Sequence, residues 1–164
     1  MEFPTSTSVA HYGPSPARLP YERGTDGPRT VLVGVDGSDS SERACAYAAG
    51  MARRERCRLV IVFVAAPSGL AGLSGAVAGP YQLAMHDLAA EIRRGAQQIA
   101  EDIAVPTTFV HRNGDPYAQL RAAADEYKAD VVVVGTATRA RHRFLGSVAN
   151  RLVRLGRWPV VVVP

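Results

Sequence analysis

The stretch from residue 135 to residue 147 combines residue types that bind anions. Gly135 ends a run of valines, and Ser147 follows Gly146 where a helix is predicted to begin. Unpaired backbone N–H groups at a helix N-terminus form an anion site, and arginine guanidinium groups hold phosphate through paired hydrogen bonds. The pattern therefore predicts a phosphate cradle, and a solvated surface loop is the alternative interpretation. The arginines of this connection are Arg139, Arg141 and Arg143.

The charge of the chain is distributed in a way that suits such a site. The formal net charge is +4, and all 15 acidic residues lie at or before Asp130. Residues 131–164 therefore contain six arginines and no carboxylate, which predicts an anion-binding face there. Arg151, Arg154 and Arg157 recur every three residues, as is typical of a solvated helix face, and no aromatic ladder accompanies them. We therefore expect no nucleic-acid partner.

The remaining polar residues offer little catalytic chemistry. The chain has no P-loop lysine motif and no nucleophile elbow. Its histidines are scattered without a metal-ligand spacing, and His142 has no visible partner. Cys45 and Cys57 also lack such a spacing, so we expect both to be reduced packing residues. The sequence predicts neither a catalytic residue nor a metal site.

The elements that position these residues alternate between strands and helices. The apolar run 31–35 is typical of a strand buried on both faces of a parallel sheet. Asp39 and Glu42 then form a start like a capping box. Such alternation gives a doubly wound α/β fold, in which ligands bind beyond the carboxyl ends of the strands. Further strands are predicted within 58–67, 106–113, 129–135 and 158–163, and helices within 39–57, 81–104, 117–128 and 146–156.

Length and composition predict one domain. The chain has 164 residues, 47% of them hydrophobic, which is enough for one core. We expect that domain at 29–164, preceded by a disordered leader at 1–28, where five prolines and three glycines accompany no apolar period. Residues 66–80 are predicted to form a long mobile loop.

No stretch reaches the roughly 20 apolar residues of a membrane span, and no secretory signal is visible, so we expect a cytoplasmic protein without a membrane partner.

Three segments together resemble the universal stress protein family. They are "VLVGVDGSDSSERA" at 31–44, "GDPYAQLRAAADEYKADVVVVG" at 114–135 and "LGSVANRLVRLGRWPVVVVP" at 145–164. The resemblance covers nearly everything from Thr30 to Pro164. It implies a Rossmann-like sheet of five parallel strands in the order 3-2-1-4-5, which brings Asp36 opposite Gly135.

The resemblance also implies a ligand, namely ATP, ADP or AMP, with or without Mg²⁺. In ATP-binding members the aspartate after the first strand, here Asp36, contacts the adenosine, and the backbone near Val64 holds the adenine. A glycine motif holds the phosphates, and any ATP hydrolysis is expected to be slow. The expected binding residues are Val35, Asp36, Val64, Gly135, Thr138, Arg139, Arg141, Arg143, Gly146, Ser147 and Val148.

The glycine motif of this chain departs from the family pattern at two points. The family has Gly-x-x-Gly, nine residues, and then Gly-Ser or Gly-Thr. Here Thr138 stands at the second glycine, and seven residues separate it from Gly146. A β-branched residue resists positive φ and blocks close backbone approach to a phosphate. The alternative is therefore a nucleotide-free member that acts as a protein-interaction module, in which Asp36 only caps a turn and the glycines only permit tight packing.

The last predicted strand bears on assembly. Val160–Val163 would lie at the edge of the sheet, and an exposed flat edge favours aggregation unless it is covered. The resemblance implies covering by a twofold partner, with the two last strands antiparallel, which predicts a homodimer. A further protein partner is expected but not identified. The alternative is that the leader folds over this edge.

Overall fold

A six-stranded sheet forms the centre of the protein in a computed structural model, which describes residues 8–14, 27–67, 75–136 and 146–164. The sheet has the order β1-β4-β3-β2-β5-β6. Neighbours from β4 to β6 run parallel, while β1 is antiparallel to β4. The predicted order 3-2-1-4-5 is therefore confirmed for the five parallel strands. The strands are β1 (Ser8–Tyr12), β2 (Thr30–Val35), β3 (Arg58–Ala65), β4 (Thr107–Asn113), β5 (Val131–Gly135) and β6 (Val160–Val163).

Four helices cover the two faces of this sheet. On one face, α1 (Asp39–Glu55) and α2 (Gly75–Ile103) pack against a core that includes Val33 of β2. On the other, α3 (Pro116–Glu126) and α4 (Ser147–Leu155) pack against a core that includes Leu32. Because both faces are buried, the central strands are continuous apolar runs rather than alternating ones. Among the described residues, no helix is both long and apolar enough to cross a membrane.

The prediction of five strands was wrong by one, because β1 lies within the predicted leader. Its backbone pairs with β4, and the Nδ1 atom of His11 lies 3.0 Å from the Thr108 hydroxyl. Arg93 of α2 donates to the Tyr12 hydroxyl at 2.8 Å. These polar and backbone contacts hold an edge strand that has no apolar run of its own, which is why its sequence did not reveal it. The rest of the predicted leader, at 1–7 and 15–26, lies outside the described residues.

The position of β1 bears on one of the two predicted ways of covering the β6 edge. The leader strand pairs with β4, at the opposite edge of the sheet. The alternative in which the leader folds over β6 is therefore wrong for residues 8–12. Among the described strands, β6 pairs only with β5.

Two helix starts differ from the sequence prediction. Helix α2 begins at Gly75 and contains Pro80, so part of the predicted loop at 66–80 is helical, while residues 68–74 lie outside the described residues. A glycine and proline pair usually marks a break, which misled the prediction. In α1 the N-cap is Ser38 rather than Asp39, because the Ser38 side chain accepts a hydrogen bond from the Ser41 backbone N–H.

Candidate functional site

A cleft of about 160 Å³ opens where the carboxyl ends of β2 and β5 lie side by side. This is the position at which doubly wound sheets bind ligands, since the chain reverses its direction of winding there. Apolar side chains form the floor and serines at the start of α1 form one wall. The lining residues are Gly34, Val35, Asp36, Ser38, Ser40, Ser41, Val62, Val64, Pro116, Leu120, Val134, Gly135, Thr136 and Val148.

Asp36 is fixed at the mouth of the cleft by Ser38. The Ser38 backbone N–H donates to Asp36 Oδ1 at 3.0 Å, and the Ser38 hydroxyl donates to the same atom at 2.6 Å. The Ser41 hydroxyl accepts from the Asp36 backbone N–H at 3.2 Å. Asp36 therefore does hold a turn, as the alternative interpretation expected, while it stays exposed at the cleft.

These hydrogen bonds stabilise the charged form of the Asp36 carboxyl group. The protein atoms around the carboxyl group disfavour its charged form and act to raise its pKa. The hydrogen bonds from Ser38 and Ser41 favour the charged form and outweigh this effect, so the pKa of Asp36 is lowered from its ordinary value. The cleft consequently presents a carboxylate at neutral pH.

The start of α1 packs directly on the end of β5. The buried Ser40 hydroxyl donates to the carbonyl oxygen of Thr136 at 2.6 Å. A Cβ added to Gly135 would lie 2.7 Å from the Ser40 carbonyl carbon, which real structures do not tolerate. The packing alone therefore requires a glycine at position 135, whatever the ligand.

The start of α4 has backbone donors to offer. Its N-cap, Gly146, makes no side-chain capping hydrogen bond. The Asn150 backbone N–H donates to the Gly146 carbonyl oxygen at 2.9 Å. The φ of Gly146 is −55°, a value that any residue adopts, so its backbone angle does not require glycine. Ser147 is exposed and Val148 lines the cleft. The helix dipole favours an anion at this end.

The structure brings most of the described candidates together. Val35, Asp36, Val64, Gly135 and Val148 all line the cleft. Gly146 and Ser147 are not part of the lining but precede Val148 directly in the chain. The other candidates lie in 137–145, outside the described residues; they are Thr138, Arg139, Arg141 and Arg143.

Sequence reasoning missed the serines of the cleft wall. It assigned no binding role to Ser38, Ser40 or Ser41, all of which line the cleft. The available signal was a run of small polar residues directly after a buried strand. Leu120 and Pro116 of α3 were also missed, because only the tertiary fold brings that helix to the cleft.

Other reactive groups do not gather at a second centre in the described part of the chain. No group of three or more potential metal ligands occurs among those residues. Both cysteines are free. Burial, with a smaller contribution from Glu42, raises the pKa of the Cys45 thiol to about 11. Burial likewise raises the pKa of Cys57 to about 11. Thiols with so high a pKa are poor nucleophiles, which fits packing residues.

A profile of the universal stress protein family matches residues 27–164, which is the whole doubly wound domain. The chain belongs to the universal stress protein family. A universal stress protein of Mycobacterium tuberculosis is 33% identical over 148 residues, covering 82% of this chain and 95% of that protein. One from Bacillus subtilis is 26% identical over 144 residues, covering 81% of this chain and 97% of that protein.

Solved structures of universal stress proteins have the same fold. Universal stress protein UspA from Lactobacillus plantarum superposes with a TM-score of 0.68 at 25% identity, covering 82% of this chain and 97% of that chain. A universal stress protein described in complex with cAMP superposes with a TM-score of 0.62 at 30% identity, covering 84% of this chain and 98% of that chain. The Rossmann-like fold predicted from the sequence is thus confirmed.

Proposed function

We propose that this universal stress protein reversibly binds an adenine nucleotide, ATP or alternatively ADP or AMP, in the cleft between the ends of β2 and β5. The observation that carries the proposal is the convergence of an ionised aspartate, two glycine-containing strand ends and a helix N-terminus whose N-cap residue is a glycine, at the switch point of the sheet. A family member described in complex with cAMP supports an adenine nucleotide as the ligand class.

The nucleoside lies at the Asp36 side of the cleft in this proposal. Ser38 donates to Oδ1 of Asp36, which leaves Oδ2 to accept a hydrogen bond from a ribose hydroxyl. Val64 of β3 lines the cleft and offers apolar contact to the adenine. Val35 continues this apolar wall from β2.

The phosphates lie at the start of α4. The backbone N–H groups of Ser147 and Val148 and the Ser147 hydroxyl are the proposed donors. Arg139, Arg141 and Arg143 of the connection supply positive charge and replace donors lost with the second glycine at Thr138. Mg²⁺, when bound together with the nucleotide, would supply further positive charge to the phosphates.

The size of the cleft restricts what it holds. About 160 Å³ is smaller than the roughly 300–1,000 Å³ of common ligand pockets. We therefore assign only the nucleoside to the cleft between the described residues, and the phosphates to its rim. No hydrolytic step is part of the proposal.

Thermal unfolding with ATP, ADP, AMP and cAMP tests the proposal. A ligand at one hundred times its dissociation constant stabilises the folded state by about 2.7 kcal/mol, so the melting temperature rises. Asp36→Asn keeps the oxygen that Ser38 holds but removes the charge, and weakens binding. Asp102→Asn makes the same charge change on the exposed end of α2 and leaves binding intact.

A single result separates this function from its rival. If the wild-type chain gains no stability from any of the four nucleotides at millimolar concentration, nucleotide binding is refuted. The nucleotide-free interaction module then becomes the better description of the fold.

The proposal includes a homodimer through β6. Thr136 donates its backbone N–H to Val163 and Val132 donates to Pro159, so these carbonyl groups of the β6 segment point towards β5. Because backbone groups alternate along a strand, those of Val160 and Val162 point to the open edge. An antiparallel copy of β6 would satisfy them.

The outward direction of Val162 gives a sharp test of this interface. Val162→Pro removes one outward N–H donor without removing the bonds to β5, and the chain becomes monomeric in sedimentation. Val162→Ala keeps the donor and the dimer. A wild-type monomer, or an unaffected Pro variant, would exclude this interface.

A further inference from the structure

A cation stands beside the cleft at the junction of α3 and α4. The guanidinium carbon of Arg151 lies 3.8 Å from the centre of the Tyr117 ring. Arg151 Nη1 lies 3.5 Å from Asp115 Oδ2. Asp115 and Tyr117 flank Pro116, which lines the cleft.

The position of Arg151 on α4 brings it close to the proposed phosphate end. It follows Ser147 by four residues and therefore lies on the same side of the helix, one turn further along. Val148, in that first turn, lines the cleft, and both Val148 and Tyr117 pack against the same apolar core. Because side chains on a helix lean towards its N-terminus, a long arginine side chain at this position can extend back towards the start of α4.

The contacts of Arg151 orient its guanidinium group without saturating it. Stacking on Tyr117 uses the flat face, so the in-plane N–H donors remain at the edge. Asp115 is a weak partner, since 3.5 Å exceeds ordinary hydrogen-bond distances and its Oδ2 already accepts from the Ala118 backbone N–H at 2.8 Å. An anion with two oxygens would compete well for these donors.

We infer that Arg151 recognises the phosphoryl group of the bound nucleotide, and that Tyr117 positions it by stacking. This inference rests on the proposed function and adds to it a further residue that distinguishes a nucleotide from a nucleoside. A held guanidinium loses less conformational freedom on binding than a free one. The ring of Tyr117 thus contributes to affinity without touching the ligand.

Arg157 provides a matched control at the other end of α4. It also contacts an aspartate and an aromatic ring, with Nη2 3.0 Å from Asp125 Oδ1 and its guanidinium carbon 5.4 Å from the Trp158 ring centre. It is about as exposed as Arg151, at 53% against 52%. Arg157→Gln therefore removes the same charge in a similar setting, away from the cleft.

Isothermal titration with ATP and with adenosine tests the inference on the full chain. Arg151→Gln weakens ATP binding by about tenfold, the effect of one charge-assisted contact, and leaves adenosine binding unchanged. Tyr117→Leu lowers the preference for ATP over adenosine, while Tyr117→Phe, which keeps the ring, preserves it. Arg157→Gln matches the wild type for both ligands.

The possible failures are distinguishable. A wild-type chain that binds neither ligand refutes the proposed function and this inference with it. If the wild-type chain binds ATP and the Arg151→Gln variant prefers ATP over adenosine to the same extent, the role of Arg151 is refuted and the proposed function stands. Equal losses for both ligands in Arg151→Gln would mean a structural role and also overturn the inference.

Discussion

Gly135 lies against the backbone of Ser40, so that the end of β5 and the start of α1 touch without an intervening side chain. A Cβ at position 135 would stand 2.7 Å from the Ser40 carbonyl carbon and 2.8 Å from its oxygen. The Ser40 hydroxyl then donates to Thr136, the next residue after the strand. The same contact that closes the sheet against α1 also shapes the wall of the cleft.

Gly135→Ala is expected to destabilise the fold by about 1–3 kcal/mol, because backbone atoms of α1 must move to admit the methyl group. Urea unfolding of the two proteins measures the difference. Gly95→Ala is the control, since nothing lies within 4 Å of a Cβ at that position in α2. An alanine there is expected to be neutral or to stabilise by up to about 1 kcal/mol.

Equal stability of Gly135→Ala and the wild type would contradict the contact with Ser40. In that case only ligand binding would explain why position 135 is a glycine.

The lowered pKa of Asp36 predicts a pH dependence of stability. A group whose pKa is lower in the folded state stabilises it fully above its unfolded pKa, and this contribution disappears as the pH falls through the folded value. The ordinary value is 3.8, so the loss occurs below about pH 5. Asp36→Asn is therefore less stable than the wild type at pH 7, and the gap narrows at pH 3.

Unfolding free energies of both proteins at a series of pH values check this expectation. Ser38→Ala removes the hydroxyl donor at 2.6 Å. In that background, the difference in unfolding free energy between the chains with and without Asp36→Asn is expected to change less between pH 7 and pH 3. A difference in unfolding free energy between the wild type and Asp36→Asn that stays constant from pH 7 to pH 3 would show that ionisation of Asp36 does not stabilise the folded protein.

Removal of β1 is expected to expose the edge of β4. Five residues of β1 pair with Thr107–His111, and an uncovered edge invites pairing with another chain. A chain without residues 1–14 is therefore expected to form assemblies larger than the proposed β6 dimer, seen as a higher mass in light scattering. A chain without residues 1–7 keeps β1 and should behave as the full chain does; identical masses for all three would contradict the covering role of β1.

Much of the fold could be predicted from local sequence because the strands are buried on both faces. The valine-rich runs at 31–35 and 131–135 are short and continuously apolar, which is typical of strands buried on both faces. Strand β1 could not be predicted, since it is an edge strand without an apolar run, held by pairing with β4, by Arg93 and by the packing of the single residue Tyr12 on the core. The start of α2 was missed because Pro80 lies inside a helix that local rules would end.

The candidate site was predictable only where a single residue carried the signal. Asp36 after the first buried strand and the Gly146–Ser147 start of α4 were visible in the sequence. The packing role of Gly135 was considered, but its partner Ser40 could not be named before the fold was known. The stack of Arg151 on Tyr117 joins two residues that are 34 positions apart in the chain and lie on different helices, so spacing within one helix gave no sign of it.

The measurement that tests the central claim most directly is a backbone amide NMR titration of the full chain with ATP. We expect the largest shifts at the carboxyl end of the sheet, at Val35, Asp36, Gly135 and Val148, with little change at the opposite end, at Thr30 and Val131. Saturable shifts elsewhere without any change in the amide resonances of Val35, Asp36, Gly135 and Val148 would contradict a nucleotide site in this cleft. The absence of any shifts at millimolar ATP would contradict it as well.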